Sequence, residues 1–147
     1  LSVIDNLRAY AYSLPKADVD AVIDEVLRTF PRLAERREQD AATLSGGEQQ
    51  MLALAKALML RPRLLLIDEL SLGLAPVIVG QLLELVREIN AGGTAVVLVE
   101  QSVNIALELA EHAFFLERGA VQFDGPSSDL RGRDDLLRAV FLEGTAR

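Results

Sequence analysis

The stretch LSGGEQQMLALAKALML, residues 44–60, opens with a serine and two glycines and then runs on as an apolar-striped helix. Glycine in a helix interior costs about 1 kcal/mol against alanine. Two of them in a first turn therefore need a reason. Ser45 followed by Glu48 has the spacing of a capping box, in which the serine oxygen accepts from a backbone N–H and the glutamate reaches back. That accounts for Ser45 and Glu48 but not for Gly46 and Gly47. Glycines there let an external group approach the N–H donors at the positive end of the helix dipole, where phosphate binds readily. The plain alternative is an ordinary cap with two tolerated glycines.

Downstream, LLLIDE (residues 64–69) is a short apolar run ending in Asp68 and Glu69. In open α/β sheets ligands bind beyond the carboxyl ends of strands. Neighbouring strand residues point to opposite sides, so the two carboxylates should do different work. One can hold Mg²⁺ through its water shell; the other can polarise an attacking water. The plain alternative is a strand that ends in solvent. Coming after a phosphate-ready helix, the pair points to nucleotide chemistry.

Around these two motifs the chain changes character once. LSVIDNLRAYAYSL (residues 1–14) has helical spacing, Ser2 as an N-cap and a stop at Pro15. Asp18 is placed to cap VDAVIDEVLRTF (19–30), which Pro31 ends; RLAERREQDAAT (32–43) reads as a short helix or a charged loop. From LLLID onward the pattern is strand, helix (Pro76 to Asn90, closed by Gly92 and Gly93), strand (TAVVLVEQ, 94–101). Runs of this kind, buried on both faces, belong to a parallel sheet in an α/β domain. A helix from Val103 to Glu111 leads to AFFLE (113–117), and Arg118-Gly119 turns the chain into AVQFD (120–124), a hairpin. Gly125 and Pro126 start a polar tail with a last helix near Asp134 to Phe141.

The 147 residues are 50% hydrophobic and 25% charged, a globular composition with enough chain for one modest core. A net charge of −7 argues against a nucleic-acid partner held through phosphates. No cysteine means no disulfide framework and no thiolate metal site. No apolar run approaches the ~20 residues that span a bilayer, and LSVIDNLRAY lacks the basic flank and cleavage site of a signal peptide. The expected location is the cytoplasm, and a start at Leu1 without methionine reads as a fragment.

LSGGEQQ, LLLIDE, SLGLAP and VVLVEQ, in this order, resemble the signature, Walker B, D-loop and switch motifs of an ABC-transporter ATPase subunit. The wording between them is most similar to the ATPase subunit of branched-chain amino acid importers. The resemblance covers essentially the whole chain. It implies an α/β fold: part of a P-loop NTPase, with a helical subdomain carrying the signature (1–61) and then the C-terminal part of a RecA-like core (62–147). It also implies ATP and Mg²⁺ as ligands. Asp68 is similar to the Mg²⁺-associated aspartate and Glu69 to the catalytic glutamate. Ser45, Gly46, Gly47 and Gln49 would contact the γ-phosphate of ATP held by a second ATPase subunit in a head-to-tail dimer. Transmembrane permease subunits would be the other partners, at the inner face of the cell membrane.

Departures from the family pattern are specific. Leu70 stands where proline usually follows the glutamate, and Ala75 where the D-loop usually ends in aspartate. Gln101 replaces the switch histidine; it can hydrogen-bond a phosphate oxygen but carries no charge. The lone histidine, His112, reads as a cation at a helix end or a surface residue. No G-x-x-x-x-G-K-[ST] phosphate loop occurs, and neither it nor the strand that bears it is expected in this chain. Three other readings stand beside the branched-chain importer ATPase: a truncated module that lends its signature helix to a partner without hydrolysing ATP, the ATPase subunit of a different ABC importer, and a non-transport relative such as a DNA-repair ATPase. Acidic charge and an uninterrupted helical subdomain weigh against the last. Sheet edges left unpaired by absent strands make the isolated chain prone to aggregate or to pair with another chain.

Overall fold

The computed structural model describes residues 1–130; the helix expected near Asp134 to Phe141 lies outside them. Two compact units divide within a strand, the first running from Leu1 to Val97 and the second from Leu98 on.

Helices open the first unit: α1 (Val3–Tyr10), α2 (Val19–Thr29), α3 (Pro31–Ala34) and α4 (Gly46–Leu58). Ser2 and Asp5 form a capping box at α1. The helix stops at Tyr10, four residues short of the expected Leu14, because successive turns tighten it: Ala11 N–H donates to the Arg8 carbonyl at 3.1 Å and Leu14 N–H to Ala11 at 2.9 Å. Asp18 precedes α2 but makes no side-chain cap. Its N–H bonds the Pro15 carbonyl at 2.9 Å, and its backbone is already helical, not the extended form a cap needs.

Val3, Ile4 and Leu7 of α1 share the core with Val22, Ile23, Val26 and Leu27 of α2, and with Phe30, Leu33, Met51, Leu52, Ala55 and Met59. Each large side chain so buried contributes about 1.5–3 kcal/mol. The unit is also laced at its start. Val3 N–H donates to the Gln39 carbonyl (3.0 Å), Ile4 N–H to Arg37 (2.9 Å), and Ala41 N–H to Leu1 (3.0 Å). Asp40 then caps a 3-10 turn, Ala41–Thr43, accepting from Ala42 N–H at 2.9 Å.

Strand β1 (Leu64–Asp68) and strand β2 (Ala95–Val99) pair in a two-stranded sheet, with α5 (Pro76–Ala91) between them in the chain. Ala95 N–H bonds the Arg63 carbonyl at 3.0 Å, so both strands start from the same end, the parallel sense expected. Burial on both faces is not observed. Leu65 and Ile67 are buried, whereas Leu64 and Leu66 are 52% and 69% exposed, and Val97 and Val99 are exposed too. One face of this sheet has an apolar surface that no described element covers. Ala75, a poor N-cap, precedes α5; Pro76 at its first position has no N–H to satisfy.

The second unit contains α6 (Val103–Leu109) and the antiparallel hairpin of β3 (His112–Glu117) and β4 (Ala120–Pro126). Arg118 (φ 48°) and Gly119 (φ 80°) form its turn, both left-handed as a two-residue hairpin loop with matching twist requires. Gly125 and Pro126, expected in a tail, instead end β4, paired with Ala113 and His112. Proline is tolerated there because a strand terminus needs no further ladder donor. His112 is not at a helix end: it opens β3, with Nε2 2.7 Å from Asp124 Oδ1.

Candidate functional site

Ser45 is extended (φ −62°, ψ 158°), and its Oγ accepts from Glu48 N–H at 3.4 Å. Glu48 Oε2 accepts from both Ser45 N–H and Ser45 Oγ–H, each at 2.9 Å. The capping box read from the spacing is therefore present. Gly46 and Gly47 precede the capped N–H and lie ahead of the intrahelical ladder. Gln49 is exposed on the same first turn.

The two glycines differ. A Cβ on Gly46 would meet Leu74 Cδ2 at 3.4 Å, an ordinary contact, and Gly46 is exposed. Gly47 is buried, and a Cβ there would overlap Ile78. The second glycine is thus demanded by packing against the start of α5, whereas the first leaves the helix end open to solvent.

Glu48 is the electrostatic centre of this helix end. The backbone N–H of Ser45 does most to hold its carboxyl below the usual range; burial opposes it with an effect second only to that bond, and the Ser45 hydroxyl and then the Arg36 and Arg32 charges add smaller lowering effects. Arg36 Nε lies 2.9 Å from Glu48 Oε1, an ion pair with the glutamate side chain only 16% exposed. Arg36 Nη1 donates to Gln39 Oε1 at 2.9 Å, and Gln39 Nε2 to Thr43 Oγ1 at 2.9 Å. The charged run 32–43, legible in the sequence only as a short helix or a charged loop, carries no sign of this link, because a pair spanning Arg36 and Glu48 has no local spacing signal.

Asp68 ends β1 and is exposed. Glu69 is not on the strand: its φ of 51° turns the chain left-handed, and the half-buried side chain leaves in a direction set by that turn and not by the pleat. Leu70 follows, fully buried. Leu72 N–H then bonds the Glu69 carbonyl (3.2 Å) and Leu74 N–H the Ser71 carbonyl (3.2 Å), with Gly73 at φ 72°. This loop delivers Leu74 and Ile78 to the glycines of α4, so the acidic strand end and the glycine-rich helix start are joined through one packed segment. Gln101 belongs to the second unit, exposed just before Ser102, the N-terminal neighbour of α6.

Among the described residues no group of three His, Asp or Glu could cage a metal. A single exposed strand-end carboxylate suits Mg²⁺, which keeps waters and takes its remaining ligands from phosphates. Also among them, no helix is long and apolar enough to cross a membrane.

Residues 2–71 match the sequence profile of the family described as ABC transporter. The chain is 50% identical over 121 residues to BraG of Pseudomonas aeruginosa, named a high-affinity branched-chain amino acid transport ATP-binding protein, covering 82% of this chain and 52% of that one. It is 38% identical over 134 residues to LivF of Archaeoglobus fulgidus, named a "probable branched-chain amino acid transport ATP-binding protein", covering 88% and 56%. The chain thus spans about half the length of these relatives. Among solved structures, an ATP binding subunit of an ABC transporter superposes with a TM-score of 0.75 at 30% identity, covering 99% of this chain and 63% of that one. The ATP-binding cassette MJ1267 superposes at 0.84 with 19% identity, covering 96% and 62%, a likeness of fold.

Proposed function

Because this chain belongs to the ABC transporter family, we infer that it forms the signature, Walker B and switch portion of an ATP-hydrolysing subunit that drives import of branched-chain amino acids. The observation that carries this reading is the docking of an exposed, capped helix start at Ser45–Gly46 against the loop leaving Asp68 and Glu69. Similarity to BraG supports the choice of substrate class.

In this reading residues 1–61 are the helical subdomain and 62–147 the C-terminal part of the nucleotide-binding core. Ser45 Oγ, the N–H groups of Gly46 and Gly47, and Gln49 hold the γ-phosphate of ATP carried by a second ATPase subunit. Asp68 would hold Mg²⁺ through water, and the bound ion would neutralise charge on the phosphates. Glu69 orients and polarises the attacking water, and Gln101 hydrogen-bonds a phosphate oxygen. Catalysis of this kind is positioning and electrostatics. The subunit works at the inner face of the membrane on permease partners. The 147-residue chain by itself lacks the phosphate-loop sequence and is expected to turn over no ATP.

The test uses the intact subunit, assembled with its permease in proteoliposomes. Mg-dependent ATP hydrolysis and uptake of branched-chain amino acids are expected, with Glu69→Gln lowering turnover roughly a hundredfold or more while ATP stays bound. Gln101→Ala, which removes a neutral hydrogen-bonding group, should cost less. Greater damage from Gln101→Ala would overturn the assignment of roles, and uptake of an unrelated solute would overturn the substrate class.

A further inference from the structure

Ser45 has one hydroxyl hydrogen, and it points at Glu48 Oε2, 2.9 Å away. Glu48 is itself an anion at the helix start where a phosphate would arrive. Two negative groups that close repel, and a carboxylate that keeps the serine hydrogen competes with the ligand for it. Something must hold and neutralise Glu48 for the helix end to receive an anion. Arg36 is placed to do so: Nε stands 2.9 Å from the other carboxylate oxygen, Oε1, an ionic contact in which the N–H is not aligned as a hydrogen bond. Its second arm is tied through Gln39 to Thr43, which lies just before Ser45 in the chain. The pair is half-sheltered, with the Glu48 side chain 16% exposed and the Arg36 side chain 41% exposed, so solvent screens it in part. The planar guanidinium contacts two partners at once, which a lysine ammonium on a flexible stem does not reproduce.

We propose that Arg36 is a positioning residue for phosphate recognition at Ser45: by holding Glu48 in place and offsetting its charge, it lets the γ-phosphate of ATP approach the helix start at Ser45, Gly46 and Gly47. The proposal rests on the nucleotide-binding reading of this helix end. Arg36 touches no ligand and acts only through Glu48.

The experiment is steady-state ATPase kinetics of the intact, assembled subunit for the unsubstituted protein, Arg36→Ala, Arg36→Lys, Glu48→Gln and the double variant Arg36→Ala/Glu48→Gln, with thermal melting of each. Arg36→Ala should raise KM for ATP about tenfold, the effect of leaving a carboxylate uncompensated beside the incoming phosphate, with kcat little changed. Arg36→Lys should fall between. The double variant should recover most of the KM, because it removes the uncompensated carboxylate along with the arginine. A purely structural arginine would instead lower the melting temperature, leave KM unmoved and gain nothing from Glu48→Gln. Should Arg36→Ala fail to fold, Arg36→Gln, which keeps a donor without the charge, is read in the same way. An unchanged KM in a folded variant, or a double variant no better than the single, overturns the proposal alone. Absence of Glu69-dependent turnover in the unsubstituted protein overturns the nucleotide-binding reading, and the proposal with it.

Discussion

A β-carbon on Gly47 would overlap the Cγ2 methyl of Ile78. Helix propensity alone favours alanine over glycine by about 1 kcal/mol, but here the overlap decides the sign. Gly47→Ala is expected to destabilise the fold by about 1–3 kcal/mol, the usual cost of overpacking. Adding Ile78→Ala to it should return part of the loss, measured by chemical denaturation. Gly46→Ala, with Leu74 at an ordinary 3.4 Å, should leave stability level or slightly raised. A Gly47→Ala variant as stable as the parent would show that α4 and α5 are not packed this closely.

Glu69 holds a left-handed backbone (φ 51°) that glycine adopts freely and other residues adopt at a cost. Glu69→Gly should therefore raise the unfolding free energy by about 1 kcal/mol while abolishing turnover in the intact subunit. Leu70→Pro should act the other way. Proline restricts the preceding residue toward extended backbone, so it drives Glu69 out of its turn and also removes a fully buried side chain. A stabilised Leu70→Pro would contradict the strain argument.

Acid stability follows from the caps. Donation from the Ser45 backbone N–H first, with the Ser45 hydroxyl and Arg36 behind it, holds Glu48 below its ordinary 4.5. Asp5 is lowered likewise, first by the Ser2 hydroxyl. A carboxylate depressed in the folded state binds fewer protons there than in the unfolded chain. Its contribution is complete above pH 4.5, declines as pH falls from there through the lowered folded value, and is gone below both. Glu48→Gln should reduce stability near neutrality and flatten the acid limb of a denaturation series. Asp5→Asn should remove a further part of the slope. An acid limb of unchanged steepness in Glu48→Gln would remove the cap from the explanation.

Leu66 is 69% exposed on β1, with Leu64 beside it in the strand and Val97 exposed on β2. Contiguous exposed apolar surface of this kind promotes association. The 147-residue chain should self-associate in sedimentation and bind a hydrophobic dye. Leu66→Lys should raise the monomer fraction while changing stability by no more than about 0.5 kcal/mol, as befits an exposed site. A loss of several times that would mean the side chain is covered in solution.

Legibility tracked locality. The Ser45–Glu48 box and the Arg118-Gly119 hairpin turn were readable because each rests on neighbours a few residues apart. The apolar run at 64–67 marked a strand, but a continuous run cannot say which face is covered, and Leu64 and Leu66 lie open. Gly47 stood out as an anomaly, yet its cause, Ile78, lies on another helix. Arg36 was hidden in a charged run for the same reason: only the packing of α3 near α4 brings it to Glu48. The left-handed turn at Glu69 had no signal, since the residue is not glycine, asparagine or aspartate.

The backbone lacing of Leu1–Ile4 to Arg37–Ala41 ties two stretches that are distant in the chain but adjacent in space. Between Asp40 and Ser45 there is one 3-10 turn and Leu44, whose side chain is buried. A tug on residues 1–4 therefore need not travel through α1, α2 and α3 to be felt at the serine. The route is three hydrogen bonds and one short segment, which puts residues 1–4 close in connectivity to the start of α4 although they are far from it in sequence.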